Sequence, residues 1–264
     1  MASAELTIPG ESAIVTASGS GIGKHIAEHL ASAGVDVVVN DIDADALAAT
    51  ASEFESLEGT VTPVAGDASD PDDMAGVVDE AVDEFGGLDI LVNNVGIAGP
   101  SKPIEDITHE EFMSTLEVNL GGHFNATRAA VPHLREADAG RIVNISSMSG
   151  KRPLTYRTPY TTAKMGIIGF VRTLAEEVAD DDVTVNAVCP GSVEGPRLRE
   201  VIEGQATNQD RPYDEVEAEF RAVSPLDAFT QPEDVANVVL FLCSEQASHI
   251  TGQDVNVTAG ICKH

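Results

Sequence analysis

Ala13-Ile14-Val15-Thr16-Ala17-Ser18-Gly19-Ser20-Gly21-Ile22-Gly23, running straight into residues 24–33, is the stretch that decides the fold. An apolar β-branched run gives way to a glycine-rich turn and then to a helical pattern. Glycines there let the backbone turn tightly and approach a pyrophosphate, which the free N–H groups of a helix N-terminus bind. Strand, glycines and helix at the start of an α/β chain therefore predict a dinucleotide cradle built from Ser18, Gly19, Ser20, Gly21, Ile22 and Gly23. The next β-branched run ends in Asn40-Asp41, eighteen residues after Gly23. A carboxylate at that point accepts hydrogen bonds from a ribose diol and repels a 2′-phosphate. With no arginine or lysine following it, Asp41 favours NAD over NADP.

Working outward, short apolar runs alternate with amphipathic stretches to the end of the chain. The runs are 13–16, 35–40, 60–65, 89–92, 141–145, 183–188 and 254–257; the helical patterns are 22–33, 44–57, 71–85, 109–137, 160–179 and 232–244. Strands apolar on both faces, alternating with helices, predict an α/β fold: a doubly wound Rossmann sheet of seven parallel strands with helices on both faces. No linker or composition shift divides the chain, so residues 1–264 read as one domain. The long polar, partly helical interruption at about 192–229 reads as a substrate lid.

Composition narrows the partners. Forty-four acidic residues face fifteen basic ones, a formal net charge of −29. Such a chain repels nucleic acid and anionic membranes. Only Lys24, Lys102, Lys151, Lys164 and Lys263 are lysines, and the acids are dispersed rather than gathered in a tail. A carboxylate coat scarce in lysine suits a cytoplasm with molar salt, so a halophilic source is expected; the alternative is an acidic protein of ordinary surroundings. No apolar run approaches the ~20 residues of a membrane span. The opening residues lack the regions of a signal peptide. Cys189, Cys243 and Cys262 have neither paired nor metal-ligand spacing, which fits a reducing cytoplasm.

Tyr160 and Lys164, four residues apart, share one helix face. A free phenol has a pKa of ~10, and an ammonium beside it favours the phenolate, which can take a proton from an alcohol while hydride leaves the same carbon. The plainer alternative is a tyrosine merely packed on an amphipathic helix. Ser146 and Ser147 follow the fifth apolar run, at the strand end where open α/β sheets bind ligands. Asn119 interrupts a helical pattern in which asparagine is a poor fit.

Taken together, these motifs resemble the short-chain dehydrogenase/reductase family. Residues 16–23 are similar to its T-G-x-x-x-G-x-G motif, Asn93-Asn94-Val95-Gly96 to N-N-A-G, Tyr160 through Lys164 to Y-x-x-x-K, and Pro190-Gly191 to P-G. The likeness covers nearly the whole chain. It implies a catalytic tetrad of Asn119, Ser147, Tyr160 and Lys164, with Ser147 holding the substrate oxygen and Asn119 a water linked to Lys164. It also implies that Asp67 and Ala68 meet the adenine, that Asn93 lies near the adenosine ribose, and that Val95, Gly96, Pro190, Gly191 and Val193 complete the cofactor site. A homotetramer is implied as well, with the Asn119 and Tyr160 helices pairing between subunits. Ala17 stands where the family has its first glycine, Val95 replaces an alanine, and Gly195 takes the place of a threonine. These departures imply a slightly shifted cofactor, with Ser192 or the Val193 backbone left to hold the carboxamide.

The implied activity is NAD-dependent oxidation of a secondary alcohol, foremost a sugar or sugar-acid hydroxyl. Reduction of a 3-oxoacyl thioester is the alternative, and a non-catalytic NAD-sensing protein is the alternative of another class. Basic residues are scarce, yet Lys151, Arg152, Arg157, Arg197 and Arg199 fall in two short stretches expected to border the substrate mouth. They suggest a small anionic substrate or, as evenly, ion pairs within the protein. His25-Ile26-Ala27-Glu28-His29 fits the H-x-x-E-H zinc pattern, but a third ligand is missing and the segment must pack on the sheet, so no metal is expected.

Overall fold

A computed structural model describes residues 6–262, apart from the side chain of residue 208; Lys263 and His264, and the opening five residues, lie outside the described residues. The strands β1 (Ser12–Thr16), β2 (Asp36–Asp41), β3 (Val61–Ala65), β4 (Ile90–Asn93), β5 (Arg141–Ile145), β6 (Thr184–Pro190) and β7 (Asp254–Val257) form a seven-stranded sheet in the order β3-β2-β1-β4-β5-β6-β7. Every pairing is parallel. The chain winds outward from β1 in one direction and from β4 in the other. A crevice therefore opens beyond the C-terminal ends of β1 and β4, where such sheets bind ligands.

Strand alternation sends neighbouring residues to opposite faces. Ala13, Val15, Val37 and Val39 pack against α1 (Gly21–Ser32), α2 (Ala44–Phe54) and α9 (Pro232–Cys243) through Ile26, Leu30, Leu47, Val235 and Val239. Ile14, Val38, Leu91 and Ile142 face the other way. They meet Met74 and Val77 of α3 (Pro71–Phe85), Ala130 and Leu134 of α5 (Gly122–Leu134), and Ile167 and Val171 of α6 (Thr158–Glu177). Full burial of a Leu or Ile side chain contributes about 1.5–3 kcal/mol, so these two layers carry most of the stability. None of the helices among the described residues is long and apolar enough to cross a membrane.

One feature departs from the sequence expectations and a second gives them detail. The helix expected over 109–137 is broken: α4 (His109–Leu116) passes through a π-helical turn at Glu117–Gly121 before α5 begins. The Asn119 side chain sits inside this wide turn and donates to the Thr115 and Ile97 carbonyls, at 2.9 and 3.0 Å. The second is the 192–229 excursion, which holds two helices, α7 (Pro196–Gln209) and α8 (Tyr213–Ala222). Their own small core is Ile202, Ala206 and Val216, flanked by Leu198, Tyr213, Phe220 and Phe229. A parallel bridge between Val193 and Thr230 clips the two ends of the excursion together, with the Glu194 amide donating to the Thr230 carbonyl and the Thr230 amide to the Ser192 carbonyl.

Candidate active site

The glycine-rich turn is held by its own backbone. Ser18 is fully buried; its hydroxyl donates to the Val15 carbonyl at 2.7 Å and accepts from the Asn40 amide at 3.0 Å, locking β1 to β2. The Gly19 amide donates to Asp41 Oδ2 at 3.1 Å, so the carboxylate at the end of β2 lies directly against the turn. A Cβ on Gly23 would come within 2.4 Å of the Ala17 carbonyl oxygen, which explains the glycine where α1 crosses β1. Gly21, at φ +58°, has nothing within 4 Å of where its Cβ would be, leaving the helix start open. Ser20 caps α1 without a side-chain hydrogen bond, and the first turn carries no acid. Free amides beside an open space are what a pyrophosphate requires.

Ala17 adopts φ +50°, the left-handed region that a glycine enters without strain. Its carbonyl accepts from Asn94 Nδ2 at 2.9 Å, and the same amide group reaches the Thr16 carbonyl at 3.2 Å. The Asn94 amide in turn donates to Thr16 Oγ1. This staple between β1 and β4 fixes the mouth of the crevice. Sequence reasoning quoted Asn94 within its motif but gave it no task.

The Asn93 side chain is fully buried and donates to Thr127 Oγ1 and Asn144 Oδ1, at 2.9 and 3.0 Å, so it joins β4 to β5 and α5 and leaves its backbone as the part that could meet a ribose. Strand alternation is the reason: Asn94, one residue on, faces the crevice side. Asp67 accepts from the amide and hydroxyl of Ser69, forming its own turn beyond β3, and the adjoining Ala68 carbonyl accepts from Asn125. Ile22 packs against the core on the α1 face, and Val95 against the core on the other. Pro190 ends β6; beyond it the Gly191 amide donates to the Val257 carbonyl, and a Cβ there would lie 2.9 Å from Thr258 Cα. Val193 belongs to the bridge at the base of the lid.

Around Gly96, Asn119 and Lys164 draw together, with Tyr160 beside Lys164. A Cβ at Gly96 would lie 2.7 Å from Asn119 Oδ1 and 3.2 Å from Lys164 Nζ, so only a glycine admits both. Asn119 Oδ1 is buried without a hydrogen-bond partner. Lys164 Nζ donates to the Ile145 carbonyl at 2.9 Å and stands 5.9 Å from the centre of the Tyr160 ring. Ser147 Oγ accepts from the Ser149 amide at 3.1 Å. Ser146 donates to the Lys164 carbonyl at 2.8 Å and ties β5 to α6. Burial pushes Lys164 down to about 7, with the Arg197 charge acting in the same direction. Behind it, burial holds His123 down at about 3, and its ring bridges Asn144 and the Val95 carbonyl. A histidine kept neutral there leaves Lys164 as the titrating cation of the pocket floor.

The basic residues separate. Lys151 pairs with Asp254 and donates to its backbone carbonyl at 2.7 Å, and Arg172 reaches the same carboxylate, so Lys151 braces β7 rather than the mouth. Arg157 stacks its guanidinium 4.8 Å from the Tyr160 ring centre and donates to the Ala98 carbonyl at 2.9 Å. Arg152, Arg197 and Arg199 are exposed. In the H-x-x-E-H segment, His29 turns its Nδ1 to the His25 carbonyl, while His25 lies 3.5 Å from both Glu28 and Glu233.

The chain is similar to known proteins over nearly its whole length. A family model described as enoyl-(acyl carrier protein) reductase matches residues 16–262. The chain is 34% identical to 3-oxoacyl-[acyl-carrier-protein] reductase FabG of Thermotoga maritima, over 97% of this chain and 99% of that protein. It is 37% identical to a D-beta-hydroxybutyrate dehydrogenase of Rhizobium meliloti, over 95% and 98%. Among solved structures, L-sorbose reductase of Gluconobacter frateurii, complexed with NADPH and L-sorbose, superposes with a TM-score of 0.92 at 31% identity, covering 98% of each chain.

Proposed function

Because the chain belongs to the short-chain dehydrogenase/reductase family, oxidoreductases that act on hydroxyl and keto groups with a nicotinamide cofactor, we propose that it oxidises a secondary alcohol with NAD. A sugar or sugar-acid hydroxyl is the leading substrate class. The observation that carries this reading is the convergence of Asn119, Lys164 and Gly96 beneath Tyr160, at the strand ends where the crevice opens.

The residues present fit a dinucleotide. The open α1 amides and the space at Gly21 would hold its pyrophosphate, and Asp41 would accept from the adenosine ribose diol. When bound, the nicotinamide supplies the hydride acceptor. Tyr160 takes the hydroxyl proton, Lys164 stabilises the phenolate so formed, and Ser147 donates to the substrate oxygen. Asn119, through its unpaired Oδ1, would hold the water through which Lys164 exchanges protons with solvent. The 192–229 excursion acts as the substrate lid of a single domain.

Asp41 is the support for NAD: its carboxylate lies against the Gly19 amide, where a 2′-phosphate would meet negative charge. Tyr160→Phe should lower kcat by at least about a hundredfold while NAD still binds, measured by NADH absorbance and by cofactor titration. Wild-type turnover that survives this change would remove Tyr160 as the proton carrier, whereas cofactor binding by the unaltered protein without turnover of any alcohol would leave a cofactor-sensing protein. The same assay run with NADP should give the poorer kcat/KM.

Reduction of a 3-oxoacyl thioester is the second reading, favoured by the likeness to the Thermotoga maritima reductase. A panel of sugars, sugar acids, hydroxyacyl thioesters and simple alcohols in molar KCl separates the two. We further infer a homotetramer working in a salt-rich cytoplasm, without nucleic-acid or membrane partners. The charge of −29 supports the salt and partner readings, and exposed Met113, Phe124 and Met165 on α4, α5 and α6 support subunit pairing through those helices.

A further inference from the structure

Half of the lysines and arginines among the described residues pair with a carboxylate, and Arg157 and Arg197 are among those that do not. No carboxylate lies within ion-pair distance of either among the described residues, although the chain carries 44 acids. Arg157 is half-buried, stacked on the Tyr160 ring, with Nη2 on the Ala98 carbonyl and Nε buried without any partner. Arg197 sits in the first turn of α7, two residues after Gly195. That turn holds no acid and no side-chain cap, whereas α2, α3, α4, α8 and α9 all begin with acids. A cation there opposes the helix dipole as well as its cationic neighbours.

We propose that Arg157 and Arg197 form a two-sided subsite for a substrate carboxylate, so that the substrate is a short hydroxy acid. This rests on the dehydrogenase reading and names its substrate class. The guanidinium of Arg157 lies over the same ring that bears the Tyr160 hydroxyl. An anion it holds would lie beside the ring whose hydroxyl takes the carbinol proton, which suits a small acid. Planar guanidinium forks match a carboxylate edge. Arg197 approaches from the lid side, so a bound carboxylate also draws the lid toward the pocket floor. Burial depresses both Arg157 and Lys164 and the charge of Arg197 acts in the same direction, so an anion between the arginines would offset that second part.

The test uses the protein saturated with NADH and titrated with lactate, glycerate, 3-hydroxybutyrate and gluconate, each beside its neutral amide, following the fluorescence of bound NADH. At least one acid should bind about tenfold more tightly than its amide. Arg157→Gln and Arg197→Gln should each shrink that acid-to-amide ratio by about tenfold, and Arg197→Lys should keep most of it. Arg197 is exposed, so its variants test the idea without endangering the fold. Acids and amides binding alike to wild type, or a ratio that survives both glutamine variants, overturns the subsite. Tighter binding of glycerol 3-phosphate than of every acid overturns the carboxylate assignment. Failure of the dehydrogenase reading is separate and shows as NADH binding without turnover of any alcohol.

Discussion

At the scale of single residues, Ala17 and Lys164 are both held in states that an unstrained chain would avoid. Ala17 occupies a left-handed conformation because the turn into α1 demands it and Asn94 clamps its carbonyl. Ala17→Gly should therefore raise stability by about 1 kcal/mol in a denaturant titration. Lys164 is pushed from 10.5 to about 7 by burial and by Arg197. Between those values the unfolded chain binds more protons than the folded one, so the stability this group allows is present above about 10.5 and is lost as pH falls to about 7. Lys164→Met, which does not titrate, should gain most over wild type below pH 7 and lose that advantage as pH approaches 10. Parallel melts across that range check the sign. Tyr160 and Lys164 could be read as a pair because residues four apart share a helix face, whereas roles for Ser147 and Asn119 came from the likeness to the family's motifs. The sequence could not show that Asn93 turns inward and Asn94 outward, since side-chain direction depends on where β4 ends. Nor could it show that Arg157 stacks on Tyr160, a contact set by the fold of the 148–157 loop.

Among the elements, the parallel strands were readable because each is apolar on both faces and punctuated by turns. Their observed ends differ from the sequence boundaries by no more than about two residues, the usual fraying. The π-helical turn at Glu117–Gly121 was not readable. Nothing in the apolar periodicity of 109–137 marks it; the cause is a side chain that prefers two carbonyls, Thr115 and Ile97, to solvent. Asn119→Ala leaves both carbonyls short of a donor in a buried place and should cost about 1–3 kcal/mol of stability by denaturant unfolding. An unchanged midpoint would mean that the wide turn is held by its neighbours rather than by the asparagine. The lid was legible as an interruption and as partly helical, but its private core of Ile202, Ala206 and Val216 was hidden by the polar residues around it.

For the whole molecule, a net charge of −29 on 264 residues works against compactness in dilute buffer. Raising KCl from 0.1 to 1 M shortens the Debye length from about 10 Å to about 3 Å, and Tm should rise across that range. A flat Tm would remove the salt-adapted reading. The lid adds a tension of its own. Arg197 lies out in solvent, while Arg157 is half sheltered by Tyr160. Salt that quiets the coat would therefore also mute one jaw of the proposed clamp and largely spare the other. Catalytic efficiency should then peak at an intermediate ionic strength, with the decline beyond the peak appearing in KM alone. The ions that steady the fold would also set how much substrate must be present before turnover begins.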